Sequence, residues 1–436
     1  MLYTNTIDVK ELTIFSQSGI PDDVRNGIGE INYYESILET SIKSTIVFTD
    51  TGWRNFNNSV SAVETDGSDI QFAEKVYLKL QDEEDNKISF NTDETCFRII
   101  KKPYDIATTQ QIVIPLYLST NEFINNELVP FYVNKRYEGK ISDTVKEILL
   151  TVLKTQKTLE IEETLNNLNI IGDQQGKGDY GKVFNAMVNL GPKAIPNILN
   201  ARDNIAGFFF YETSDGYKFK SIDTILSQKA KKKLIYNNTT SLPPGFDGKI
   251  LTTPTFSGDI DVIKNLKLGT YNSQRYTLDL FESRVRKNDV RSQDQIRAAV
   301  LAGKNLPKIP EEFNQPSRIT NSLRDTGSHP PGQDVLTQLK KSKELNFEIE
   351  DILNQSMMRF NQVFAIQTSF TIFCDLTLRA GDVIECHFPE LSDKTTQVIS
   401  DKRSGRYLIV NLRHYISPNG PAFTRLDVAR DSYGRI

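Results

Sequence analysis

The sequence is poor in the residues that build disulfide frameworks. Its 436 residues include only three cysteines, Cys96, Cys374 and Cys386. They form no CxxC pair, and their odd number argues against a disulfide framework. We therefore expect three buried thiols in a chain that is kept in a reducing compartment.

Histidine is equally scarce, with three residues in the chain. His329 lies in a proline-rich segment, whereas His387 and His414 fall on predicted strands. Cys386 adjoins His387, but neighbouring residues on a strand point to opposite faces of a sheet, so they make a poor zinc site. We predict no metal and no cofactor.

Long apolar runs are also missing. The strongest ones, Ile112–Leu118 and Phe208–Tyr211, are far shorter than the roughly 20 residues that a membrane helix needs. The N-terminal residues lack the basic region and apolar stretch of a signal peptide. We expect no direct membrane insertion, and any encounter with a membrane would come through a partner.

The charge balance excludes a strongly basic protein. The net charge is −4, with 25% charged and 38% hydrophobic residues, which is a soluble globular composition. The length suggests about two to four domains. One basic cluster, Lys229 with Lys231–Lys233, has no interleaved aromatic residues and is interpreted as a solvated helix end, not a nucleic-acid site.

Catalytic motifs are few. No GxSxG is present, so a hydrolase of that type is not indicated. Gly176–Gly181 matches GxGxxG, and Leu168–Ile171 before it could be a strand. However, the next predicted strand belongs to an antiparallel hairpin, whereas a dinucleotide-binding unit needs a parallel crossover. A nucleotide-dependent enzyme that uses this loop stays open as an alternative.

Both ends of the chain alternate β-branched or aromatic residues with polar ones. Short strands with frequent polar turns indicate a barrel or a sandwich. The predicted strands are Val9–Phe15, Ser44–Phe48, Lys75–Leu80 and Cys96–Ile100 near one end, and Thr368–Leu378, Asp382–Phe388, Gly405–Arg413 and Ala422–Val428 near the other. Two similar barrels in one chain would explain this arrangement.

The middle of the chain has α+β character. Ser142 is predicted to cap a helix that continues to Leu153, and Lys182–Leu190 is a second helical stretch. Gly207–Lys220 has the pattern of a hairpin with its turn at Ser214–Gly216. A long irregular segment at Asn305–Gln333 carries five prolines.

The order of these features resembles the central baseplate hub protein of contractile-tailed phages of the T-even type, in a cyanophage-like version. The most specific segments are Leu378–Ile384 and Gly405–Val428. They also resemble type VI secretion spike proteins and tail-like bacteriocins. The other similar segments are Glu30–Leu38, Leu116–Ile124, Ile141–Leu153, Asp215–Ile222 and Ser356–Gln362.

This resemblance implies an α+β fold with two β-barrel tube domains and inserted α+β domains, related to phage hub and type VI spike-base barrels. The helix at Glu344–Ala365 would lead into the second barrel. The implied domains are residues 1–120 (first tube barrel), 121–228 (inserted α+β domain), 229–285 (first part of the second tube domain), 286–343 (inserted helix and proline-rich arm) and 344–436 (helix and remainder of the second barrel).

The implied function is structural and not enzymatic. A homotrimeric ring of such chains would adapt the six-fold tail tube to the three-fold spike and leave a channel for DNA during genome ejection. Its partners would be the spike, tube or tube-initiator proteins, baseplate wedge proteins and the tape measure protein. The chain would be made in the host cytoplasm and reside in the tail baseplate of the virion.

The strands of the two barrels would carry the contacts between copies. The predicted assembly residues are Ile42, Ile46, Phe48, Phe373, Leu378, Val383, Tyr407, Ile409 and Arg413. A spike-base protein with a fused cell-wall lytic domain is a further alternative, although the middle region has no recognisable lytic motif. DNA would meet the chain only in transit.

Overall fold

A computed structural model describes most of the chain. The described residues are 6–16, 21–50, 70, 73–107, 111–128, 136–165, 167–171, 182–197, 205–237, 239, 241–257, 261–280, 283–291, 299–307, 310–313, 315–323, 334, 336–337, 349–390, 399–418 and 420–435. None of the helices in these ranges is long and apolar enough to cross a membrane.

The first barrel is formed by the N-terminal strands. They are β1 (Asp8–Phe15), β2 (Pro21–Asp23), β3 (Ile28–Ser36), β4 (Lys43–Asp50), β5 (Lys75–Gln81), β6 (Lys87–Phe90), β7 (Phe97–Lys101), β8 (Ile106–Ala107) and β9 (Ile112–Thr120). Alternation explains them: on β5, Val76, Leu78 and Leu80 are fully buried, and the residues between them are partly exposed. The strands predicted in this region are confirmed.

An α+β unit follows the first barrel. It contains α1 (Asn121–Leu128), β10 (Arg136–Lys140), α2 (Ile141–Thr151), β11 (Leu159–Ile161), β12 (Asn167–Ile171), α3 (Val183–Leu190), β13 (Phe208–Thr213), β14 (Gly216–Ser221) and α4 (Ile222–Ser227). The predicted hairpin is confirmed as β13–β14. The residue at its turn must be glycine, because Gly216 has φ of 122° and a Cβ there would lie 2.2 Å from the Thr158 carbonyl oxygen.

The predicted cap of α2 is wrong by two residues. The helix begins at Ile141 after Lys140, which makes no side-chain cap. Ser142 instead lies within the first turn, where its hydroxyl accepts from the Thr164 amide at 3.3 Å. A neighbouring segment therefore holds this side chain and prevents it from capping the helix.

The second barrel is assembled from two separated parts of the chain. They provide β15 (Lys233–Ile235), β16 (Gly248–Lys249) and β17 (Thr255–Ser257), then β21 (Ile366–Phe373), β22 (Val383–His387), β23 (Gly405–Ile416) and β24 (Phe423–Arg430). Residues 248–257 close this barrel, because β16 lies beside β15, Ile250 bridges Ile372, and β17 pairs with β21.

Between β17 and β21 the chain forms a separate three-stranded sheet. Its elements are α5 (Val262–Leu268), β18 (Asn272–Asp279), β19 (Arg284–Arg291) and β20 (Arg318–Leu323), and α6 (Ile349–Val363) leads back to the second barrel. The segment predicted to be irregular thus contains β20, which pairs parallel with β18. The predicted domain boundaries stay a proposal.

The two barrels have the same strand connectivity. In chain order, β1, β3, β4, β5, β7 and β9 correspond to β15, β17, β21, β22, β23 and β24. The pairings β1–β5, β5–β7, β7–β9, β9–β4 and β4–β3 recur as β15–β22, β22–β23, β23–β24, β24–β21 and β21–β17. Only the first differs in direction, since β15 and β22 are parallel whereas β1 and β5 are antiparallel.

A buried carboxylate connects both barrels and the inserted unit. Glu35 on β3 accepts from the Ser214 amide at the hairpin tip at 2.8 Å and from the Ala380 amide before β22 at 2.9 Å. The Tyr33 hydroxyl donates to it at 2.6 Å. Burial raises the pKa of Glu35, and the nearby Arg379 opposes that rise.

Two further ionic clusters join the same parts of the chain. Lys157 contacts Glu122 at 2.6 Å and Glu212 at 2.5 Å, and Glu212 also accepts from the Ile42 amide of the first barrel at 2.9 Å. Arg359 on α6 contacts Asp431 at 2.7 Å and Asp223 at 3.1 Å. All these charged side chains are at least nine-tenths buried, so losing one partner would leave an uncompensated charge.

Replacing Glu35 by glutamine should destabilise the fold. A glutamine side chain has one acceptor oxygen, so at least one of the Ser214 and Ala380 amides would face its NH₂ group without an acceptor. We expect Glu35→Gln to lower the free energy of unfolding by about 1–3 kcal/mol in urea titrations. The control is Glu39→Gln on the same hairpin, where an exposed pair with Lys43 should contribute less than about 1 kcal/mol. Equal effects of the two changes would contradict the anchoring role of Glu35.

Candidate assembly surface

The two barrels share one continuous sheet within a single chain. The first half of β23 pairs with β22, and its second half, Asn411–Ile416, pairs antiparallel with Ser36–Ile31 of β3. The strand order across this junction is β21-β24-β23-β3-β4-β9. A strand edge of one barrel therefore continues directly into the sheet of the other.

On the exposed face of this junction, Arg413 of β23 links the two barrels. Its Nε and Nη2 donate to Oδ1 of Asn32 on β3 at 2.9 and 2.7 Å. The guanidinium also lies 5.8 Å from the ring centroids of both Tyr34 and Tyr415. Asn32 is only 3% exposed as a result. This contact joins residues that are 381 positions apart in the sequence.

A chain of polar contacts continues across the same face. Ser36 donates to Asn411 at 2.6 Å, and Asn411 in turn donates to Asp427 at 3.3 Å. Ser369 on β21 donates to the other oxygen of Asp427 at 2.6 Å. Hydrogen-bonded side chains thus tie β3 to β23, β24 and β21 in a single row, which fixes the register between the barrels.

The exposed face forms a hollow of about 680 Å³, lined by residues of both barrels. The acidic and basic residues that line it are Glu35, Glu39, Lys43, Arg413, Arg425 and Asp427. Three cations face three carboxyl groups, so the hollow is polar and nearly balanced in charge. Arg425 lies opposite Arg413, and Asp427 lies 3.8 Å from the Arg425 guanidinium.

The buried face of the junction contains a neutral histidine. His414 stacks on Tyr33 with 5.8 Å between ring centroids and lies 2.8 Å from the Thr424 hydroxyl. Burial, and then the positive charge of Arg379, lowers the pKa of His414 to about 3. The imidazole therefore stays uncharged in the folded chain at neutral pH.

Most of the predicted assembly residues lie inside their own barrels. Phe373 and Arg413 are partly exposed, on the outer face. The others are at most 2% exposed, so their side chains offer no surface to another chain: Ile42, Ile46, Phe48, Leu378, Val383, Tyr407 and Ile409. Contact with a second copy stays a prediction, and for these seven residues it would have to use the backbone, because their side chains are buried.

The junction partners Asn32, Asn411 and Asp427 were missed. Their outward orientation could be predicted, because each lies between two buried apolar residues on its strand. Alternation does not indicate which distant strand lies alongside.

The three cysteines are free and buried, as predicted, and burial raises the pKa of Cys374 to about 12. Gly176–Gly181 lies outside the described residues. The strand before it, β12, pairs antiparallel with β10, which is not the parallel arrangement of a dinucleotide-binding unit.

Solved structures show what this fold is similar to. A tail protein from Neisseria meningitidis MC58 matches with a TM-score of 0.54 and 8% identity, over 98% of this chain and 97% of that one. The 43 kDa tail protein of prophage MuSo2 from Shewanella oneidensis matches with a TM-score of 0.52 and 7% identity, over 97% and 98%. A type VI secretion component from E. coli gives a looser match, with a TM-score of 0.39 and 8% identity over 98% and 78%.

No protein-family model and no curated protein matches the sequence. At such low identity the structural likeness concerns the fold. The fold of this chain is similar to that of the two tail proteins over 98% and 97% of its length, and the predicted α+β architecture with two barrels and inserted units is confirmed.

Acidification should weaken the junction through His414. As the pH falls through 6.5, the unfolded chain binds a proton that the folded chain cannot bind until about pH 3, so stability is lost in that window. Between about pH 7 and pH 5 this residue alone accounts for a loss of about 2 kcal/mol. His414→Gln should remove that part of the pH dependence, measured by urea unfolding at both pH values. The same pH dependence in both proteins would show that His414 titrates normally.

Proposed function

We propose that this chain is a structural baseplate hub of a contractile phage tail, in which three copies form a ring between the tail tube and the spike. The observation that carries the proposal is the repeated barrel: two barrels of equal connectivity joined edge to edge in one chain. Three chains would then present six similar barrels, which matches a six-fold tube above and a three-fold spike below.

The internal junction predicts where the next copy attaches. Inside the chain, β23 continues beyond β22 and pairs with β3. Strand β7 is the equivalent of β23 and continues beyond β5 in the same way. Strand β17 is the equivalent of β3. We infer that the segment Lys101–Ala107 of one copy pairs with β17 of the next. Among the described residues, neither this segment on its side away from β9 nor β17 on its side away from β21 has a partner strand.

The exposed side chains of this edge suit a buried contact. Tyr104 and Ile106 are 60% and 53% exposed. Large apolar side chains next to an open strand edge favour pairing with another strand, because both backbone and side chains are then covered. The partner strand β17 alternates exposed and partly exposed residues.

The outer face of the continuous sheet would line the channel in such a ring. Most of its cations have partners on the face: Arg413 is held by Asn32, Lys43 contacts Glu39 at 2.9 Å, and the more exposed Arg425 lies 3.8 Å from Asp427. Phosphate binding depends on freely available Lys and Arg side chains. A nearly balanced, internally paired wall would let DNA pass without holding it. The tube, the wedge proteins and the tape measure protein would be further contacts.

The oligomeric state tests the ring directly. We expect the purified full-length chain to reach the mass of a trimer in size-exclusion chromatography with light scattering, either alone or when the spike protein is added. A chain that stays monomeric under both conditions would rule out the ring.

A single edge substitution tests the position of the contact. Ile106→Lys should abolish or strongly weaken trimer formation, because a lysine on an open strand edge opposes pairing with another strand. Since Ile106 is exposed, the thermal midpoint of the monomer should change little. Val188→Lys on α3 is the matched control, at 51% exposure, and should leave the trimer intact. Trimers of Ile106→Lys as stable as the unmodified ones would place the contact elsewhere.

A further inference from the structure

The buried residues of the sheet β19-β18-β20 are almost all polar. On the central strand β18 every buried side chain is polar: Asn272, Ser273, Gln274, Thr277 and Asp279. Within residues 261–280, 283–291 and 315–323, Val290 is the one apolar side chain that is buried. None of the three clusters of buried apolar residues in the described chain includes a residue of these ranges. As far as the structure describes it, the sheet is therefore attached to the rest of the chain without an apolar core.

The α+β unit that follows the first barrel is attached in the opposite way. It has an apolar core of its own, which includes Phe184, Phe208 and Phe219. A further apolar cluster joins its Phe209 to Leu408 of the second barrel. Separating this unit would return large apolar side chains to water, which is costly. The two insertions therefore differ in how firmly the barrels hold them.

Helix α6 packs on α5, β18 and β19 and contacts this segment through amide side chains. Asn361 donates to the Leu268 carbonyl at the end of α5 at 3.1 Å, and Gln362 donates to the Thr270 carbonyl before β18 at 3.4 Å. A neutral hydrogen bond adds little net stability, because water offers both groups a similar bond when the contact opens. Such contacts can be broken and made again at small cost in free energy.

Four buried polar atoms on this side of α6 make no hydrogen bond. Asn354 lies two turns before Asn361 on the same side of the helix and is only 1% exposed. Neither its side-chain oxygen nor its nitrogen has a partner among the described residues, and the same holds for Oε1 of Gln362 and Oγ1 of Thr270. Buried polar groups of this kind are satisfied by ordered water. The contact between α6 and the sheet is therefore polar and hydrated, in contrast to the dry apolar contacts of the other insertion.

We propose that the sheet β19-β18-β20 is a lid on α6, which opens as one unit while both barrels and the other insertion stay folded. Backbone ladders hold the lid together, since β18 pairs with β19 along Asn272–Asp279 and with β20 along Ser273–Leu278. The lid lies between β17 and α6 in the chain, outside the strands of both barrels. Its opening is therefore independent of the strand edges that the proposed ring would use.

Native-state hydrogen exchange on the full-length chain tests the lid. In a series of low urea concentrations, the amides of the β18 ladders should converge on one common opening reaction, distinct from that of β23 and β24. After correction for intrinsic rates, they should exchange at least about 100-fold faster than the amides of the β23–β24 ladder. Exchange of β18 and β23 through one shared opening reaction would overturn the lid. Exchange of the β18 ladders that does not depend on urea would overturn it too, because single amides would then open one by one.

Asn354→Leu tests the hydrated contact. Leucine keeps the branched shape of asparagine but has no group that needs water, so it should hold the lid closed more firmly. We expect the β18 amides to exchange at least about tenfold more slowly, with the β23 amides unchanged. Asn185→Leu, at an exposed position of α3, is the matched control and should change neither. Unchanged or faster exchange of β18 in Asn354→Leu would overturn the hydrated contact at this residue.

Light scattering on Asn354→Leu separates the lid from the ring. The variant should keep the same mass as the unmodified chain, whether that mass is a trimer or a monomer, because the lid lies outside the proposed contacts between copies. A changed mass would show that the position of the lid affects assembly, which would overturn its independence from the ring.

Discussion

The carboxylate of Glu35 is the contact on which the arrangement of the chain depends most. One side chain on β3 receives backbone amides from the inserted hairpin and from the loop before β22. Backbone donors buried at such a meeting point need an acceptor, and a carboxylate can serve several at once. The position of the inserted unit, and the angle between the barrels, are thereby tied to one strand. The clusters around Lys157 and Arg359 join the same parts of the chain at two other contacts.

Buried charges at the contacts between the barrels and the inserted unit favour one relative arrangement of these parts over others. An apolar contact tolerates sliding, because dispersion contacts are not directional, whereas hydrogen-bonded charges lose much of their interaction when displaced. Here the apolar core supplies most of the stability: a single cluster of buried side chains extends through both barrels. The ionic contacts then select how the barrels and the inserted unit meet. We regard this division as the reason that the second barrel, whose strands come from two separated parts of the chain, closes correctly.

Local sequence patterns predicted the elements well and the connections poorly. The strands of both barrels and the hairpin at Gly207–Lys220 follow from alternation and from turn residues that lie close together in the chain. The junction of β23 with β3 joins residues separated by most of the sequence, and no local pattern encodes that pairing. Glu35 did leave a signal, because it follows Ile31 and Tyr33 at a spacing of two residues and so shares their buried face. An acid at an inward position implies buried donors, but not which ones.

The fusion of two barrels has a consequence for assembly of the proposed ring. A ring of six separate barrels has six junctions, and its assembly would cost the translational and rotational freedom of five bodies, about 4–15 kcal/mol for each. Fusion makes three of these junctions intramolecular, where the β23–β3 ladder forms as part of folding. It also frees the two barrels to differ. Insertions such as the sheet β19-β18-β20 can then recur three times around the ring, while the inner sheet keeps six similar repeats. In the proposed ring, three inserted sheets would then lie outside a wall of six similar barrels.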